Sequence, residues 1–159
     1  MLDWLLGAIA TSWPAEALKA SRLIYPLVNG LHILGFAALF GSIAVFDIAV
    51  LTRAKAPVLT ALVRLAPRIA GAGLALAASS GVLMFSVQPF DYAANPVFQL
   101  KLALVLAGSL HAIALHATAG FRRLSATGEA SPSLYVSAVV SLLVWTATIF
   151  AGRFIAFLA

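Results

Sequence analysis

The chain has 159 residues, 63% hydrophobic and 9% charged, with net charge +5 and no cysteine. A soluble domain is nearer one quarter charged, so this composition, with a mean hydropathy of +1.06 and four long apolar runs, puts the chain in a bilayer. Disulfides, thiolate metal sites and cysteine nucleophiles are excluded, and the cations cluster at the ends of the apolar runs, which marks topology and lipid headgroup contacts rather than a nucleic-acid surface.

Residues 2 to 13 place Leu2, Leu5, Leu6, Ile9 and Trp13 at helical spacing. The stripe is too short to span, and Trp4 and Trp13 favour the headgroup level, so a short interfacial helix is expected. Asp3 and the lack of a basic stretch make this a poor signal peptide. The first span is expected to act as its own insertion signal. Pro14 fits the first turn of a following helix.

The first span is expected over about 23–51, with Pro26 near its start and Arg53, Lys55 and Pro57 closing it. The second is expected over about 59–87. Its Gly73, Ala77 and Gly81 recur every four residues, a stripe that suits close helix packing and, less often, a flat ligand. QPFDYAANP then reads as a loop. Asn95-Pro96 is a helix start, Asn at the N-cap and Pro at the first position. The third span is expected over about 97–121, ended by Arg122 and Arg123, with 124–131 as a polar loop. Ser131-Pro132 repeats the cap pattern, and the fourth span is expected over about 133–158. The fold class is therefore all-α: a four-helix transmembrane bundle with a short N-terminal interfacial helix, one integral-membrane domain over 1–159.

Lys and Arg counts assign sidedness. Arg53, Lys55, Arg64, Arg68, Arg122 and Arg123 lie on the 1–2 and 3–4 connections, against Lys19, Arg22, Lys101 and Arg153 on the other side. The positive-inside rule puts both termini on the periplasmic side of a bacterial inner membrane.

Three histidines lie in these helices, where an ionisable group is costly and points to function. Measured from Leu23 and Val97, His32 lies roughly 14 Å deep, His111 roughly 21 Å and His116 roughly 29 Å, at the rise of an α-helix. His32 and His111 are then about a turn apart in depth, while His111 and His116, five residues apart, fall on different faces. Two imidazoles on facing helices can hold a haem iron. Ala107 and Gly108, one turn before His111, would leave room for a porphyrin. Lys101 and Arg153 are placed to meet its propionates. With three histidines, at most one bis-histidine haem is expected per chain. The bland alternatives are hydrogen bonds across the bundle for the histidines and snorkelling for Lys101 and Arg153. Asp47 is expected to pair with Arg53, Arg64 or Arg68, because an unpaired buried carboxylate is costly. No GxSxG elbow and no phosphate loop occurs.

YPLVNGLHILGFAALFGSIAVFD, the second span ending SSGVLMF, NPVFQLKLALVLAG and the closing WTATIFAGRFIAF together resemble, in that order, a bacterial inner-membrane family described only as a domain of unknown function. At greater distance the chain is similar to the copper-resistance protein D family and to small membrane b-type cytochromes, which share the four-helix layout and a first-span histidine. That resemblance implies a haem- or copper-handling bundle, with His32 as the matching histidine. In the third span it favours His116, and it leaves His111 where other members carry a different polar residue. Both stay candidates. The expected function is a haem b protein for electron transfer or redox sensing, with His32 and His111 or His116 as metal ligands and a redox partner protein or a second copy of the chain as possible partners. The alternatives are a copper-handling transporter or accessory protein, against which the presence of only Met1 and Met84 counts, and a cofactor-free structural subunit.

Overall fold

The computed structural model describes residues 2–157. Met1 and Leu158, the expected end of the fourth span, lie outside them. Eight helices follow in order: α1 (Leu2–Ala10), α2 (Trp13–Ala20), α3 (Ile24–Leu51), α4 (Ala56–Phe85), α5 (Pro89–Ala94), α6 (Pro96–His116), α7 (Ala119–Thr127) and α8 (Pro132–Phe154). Helices α3, α4, α6 and α8 are each long and apolar enough to cross a membrane. Only helices satisfy their own backbone in hydrocarbon without a partner strand, so the apolar runs have this one solution open to them. The chain is a multi-pass, all-α membrane protein.

Two segments expected as loops are helical. QPFDYAANP contains α5. The third span stops at His116 instead of running to Phe121, and 119–127 forms α7. Thr118 drives that break: its hydroxyl accepts from the Phe121 amide at 3.1 Å and starts a new helix. Phe121 and Leu124 of α7 are buried while its arginines face outward, so the segment is amphipathic. Gly128 ends α7 at φ 74°, with the Ala56 Cβ 2.6 Å and the Ala56 backbone 2.7 Å from where a Cβ would sit, so a side chain there is both strained and blocked.

Asn95 caps α6 as its sequence predicts, accepting from the Val97 and Phe98 amides at 2.8 and 3.1 Å. Ser131 does not cap α8; its hydroxyl bonds Ser133 at 3.0 Å instead. Asn95 is buried, so Asn95→Ala should cost about 1 kcal/mol. A lower midpoint of unfolding in mixed SDS micelles would measure it, with Ser131→Ala as the silent comparison.

The tightest packing is α3 on α4. A Cβ on Gly35 would meet the Ala77 nitrogen at 2.6 Å, and one on Gly73 would meet the Gly35 oxygen and the Leu39 nitrogen at 2.6 Å. The small-residue stripe is a helix–helix seam there. Helix α8 packs on α3 and α6, while neither α3 nor α4 packs its backbone extensively on α6. The bundle is therefore closed on three seams and open between α6 and the α3–α4 pair. The buried core, with Phe46, Val50, Leu59, Val63, Phe121, Leu124 and Leu134, fills the α7 end. At the other end α1, α2 and α5 form a collar. Trp4 and Trp13 are outward and highly exposed, as a headgroup-level anchor requires, and Lys19 donates to the Ala10 carbonyl at 2.7 Å to close α1.

Candidate functional site

The open seam holds two cavities. The larger, about 860 Å³, lies under the α5 collar, and His32, Lys101, Arg153, Phe36, Phe85 and Tyr92 are among its walls. The smaller, about 220 Å³, lies nearer α7 and includes His111, His116, Asp47, Ser109 and Ser141.

His32 is oriented from α4. Its Nδ1 is 2.8 Å from the Ala77 carbonyl oxygen, and a carbonyl only accepts, so Nδ1 carries the proton. The Ser80 hydroxyl is 3.3 Å from the same nitrogen and is itself committed as a donor to the Leu76 carbonyl at 2.6 Å. The ring lies against Gly81, whose Cβ would meet it at 3.2 Å. Thus the third member of the stripe seats an imidazole, where the first two seat a helix. With Nδ1 protonated, Nε2 keeps its lone pair. Lys101 Nζ approaches that nitrogen at 3.4 Å, so a cation already sits on the lone pair. The Nδ1–H bond to the Ala77 carbonyl is the second-partner arrangement that metal-ligating histidines use to fix their tautomer, while Lys101 holds the place on Nε2 that a metal would take.

Around it, Phe85 stacks on Phe98 at 5.6 Å between centroids with 13° between planes, and Tyr92 joins both. Burial pushes the Tyr92 phenol up to about 12, and the Tyr25 hydroxyl and Asp91 add to the shift, so it remains a neutral wall. Arg153 lies over the Phe157 ring at 4.9 Å and forms no ion pair among the described residues. His32, Lys101 and Arg153, three of the residues singled out from sequence, thus share one cavity.

His111 does not join them. Its Nε2 bonds the Ser137 hydroxyl of α8 at 2.9 Å, and it borders the smaller cavity. The space over Gly108 is not open for a porphyrin: the Trp145 ring fills it, with atoms 2.8–2.9 Å from a Cβ at that position. Equal depth did not bring His32 and His111 together, because Trp145 lies in the seam on the His111 side. His111 and His116 border the same cavity although the helical spacing sets them on different faces. His116 ends α6, its Nδ1 donates back to the Ala112 carbonyl at 2.6 Å, and its ring packs on Phe121 at 4.2 Å. That leaves it at the cavity's exposed edge.

Asp47 forms no ion pair with Arg53, Arg64 or Arg68. Arg53 instead ends α3 at φ 55° and lies over the Tyr135 ring at 5.6 Å. Ser141 is the polar neighbour of the Asp47 carboxyl. Met84, weighed from sequence as a soft-metal ligand, borders the larger cavity, whereas Ser80 behind His32 was not singled out from sequence; its spacing to Ala77 on α4 was the available signal. Among the described residues no three His, Cys, Asp or Glu side chains come together as a metal site. No family model, curated protein or solved structure matches this chain.

Proposed function

We propose that this chain is a b-type haem protein of the bacterial inner membrane that passes electrons or senses redox state, with both termini on the periplasmic side. One observation carries the reading. His32 donates through Nδ1 to the Ala77 carbonyl and turns the Nε2 lone pair into a cavity of about 860 Å³, a volume in the range of cofactor sites. Haem bound there would supply one-electron chemistry. His32 would hold the group through Nε2 in that cavity. Arg153 and Lys101 would hold the propionates, Arg153 through its planar fork and Lys101 by turning its long stem from Nε2. The stacked Phe85, Phe98 and Tyr92 would keep water from the iron. His111 and His116 have no place on these walls, so the reading uses one histidine. The orientation rests on the six cations at the α7 end against four at the collar.

The test is a dithionite-reduced minus oxidised absorption spectrum of detergent-purified protein. Soret and α bands at near one haem per chain are expected. A flat spectrum from protein expressed with ample haem overturns the reading. A copper-handling role has one observation in its favour: Met84 shares the cavity with His32, and a thioether with an imidazole suits a soft metal. Bound copper in haem-free protein would favour it.

A further inference from the structure

The smaller cavity has features that the haem reading does not use, and its walls are a different set of residues. Asp47 is 3% exposed, and its Oδ2 has no hydrogen-bond partner among the described residues. A buried polar atom left unmade costs about 1–3 kcal/mol, so its retention at a cavity wall asks for a ligand atom. We propose that this cavity binds a lipid-dissolved ring compound whose hydroxyl donates to Asp47 Oδ2, the chemistry of a quinol headgroup.

Size, wall chemistry and access each support that class. A cavity of about 150 Å³ holds a benzene ring; this one, at about 220 Å³, suits a single substituted ring. Its walls are apolar and aromatic, with Phe46, Phe121 and Trp145 as ring neighbours. A bound metal cation would want three or more converging ligands, and among the described residues no three His, Cys, Asp or Glu side chains come together. An anion would meet Asp47. A neutral ring with a hydroxyl donates to Oδ2 without adding charge. Ser109 Oγ donates to the Val105 carbonyl at 2.8 Å, so its lone pairs are left for a second ring hydroxyl. Access is from the side. Gly71 of α4 and Ile113 of α6 are exposed wall residues of two helices that do not pack closely, and a hydrocarbon tail passing between them would stay in lipid. Trp145 also meets Phe36 edge-on at 6.2 Å, and Phe36 borders the larger cavity, so one aromatic pair separates the two sites.

The chain has three tryptophans, so a Trp4→Phe, Trp13→Phe background leaves Trp145 as the only reporter. In lipid nanodiscs, titration with decyl-ubiquinol, kept reduced, should quench its fluorescence saturably. Asp47→Leu should weaken that binding roughly tenfold, as loss of a buried hydrogen bond does. Asp47→Leu is a core change, so Gly71→Leu provides the second arm. A Cβ at Gly71 meets nothing within 4 Å, so the substitution starts in open space at the mouth; circular dichroism should show the fold kept, and binding should again fall. Decylcyclohexane, with the same tail and no hydroxyl to donate, should compete poorly. Linear, unsaturable quenching that is the same in all three proteins overturns the proposal. So does saturable binding that both variants retain, and so does equal competition by decylcyclohexane.

Discussion

His32→Ala should abolish the haem absorption bands, while His111→Ala should leave them at full intensity. The two substitutions remove the same group from α3 and α6, so their difference tests which cavity the proposed haem would occupy. His32 is the chain's only histidine on the larger cavity, and removing a ligand outright costs more than the roughly 10–100-fold that loss of a second-layer partner costs. Ser80→Ala provides that intermediate case. It removes a contact 3.3 Å from Nδ1 but keeps the 2.8 Å bond to the Ala77 carbonyl, so haem should remain, with at most about a tenfold loss of affinity. The check is haem content per chain and the reduced-minus-oxidised difference spectrum, with circular dichroism showing that each variant is folded. Equal loss in His32→Ala and His111→Ala would restore a shared site and remove the single-histidine reading.

Gly73→Ala should destabilise the bundle by about 1–3 kcal/mol, the usual cost of overpacking. The added methyl would lie 2.6 Å from the Gly35 oxygen and the Leu39 nitrogen. Both are backbone atoms of α3, so no side chain can turn away and the helices must separate. Separation would also pull Ala77 and Gly81 from α3, so the seat of His32 should loosen with the seam. Gly41→Ala is the matched control, since nothing lies within 4 Å of its Cβ. It should be neutral or more stable by up to about 1 kcal/mol from helix propensity. Unfolding midpoints in mixed SDS micelles would separate them. Equal stability of the two variants would mean that α3 and α4 do not meet where the stripe lies.

The sequence alone determined that this is a four-helix membrane protein, because in a bilayer long apolar runs have only helices open to them. It also located the Asn95 cap and the Gly73–Ala77 seam, since capping and close approach depend on residues a few positions apart. It singled out His32, Lys101 and Arg153 by their cost in lipid. The short helices α5 and α7 were less legible, because their buried faces exist only against the rest of the bundle. Tertiary structure alone decided the grouping of the histidines. Depth along a helix can be counted from sequence, but the facing direction depends on how α6 lies against α8 and on Trp145 filling the space above Gly108. The same packing left Asp47 without an arginine. The cations stayed with the loops and the interface, and the carboxyl went with the core, so two groups close in sequence ended on opposite sides of a helix end.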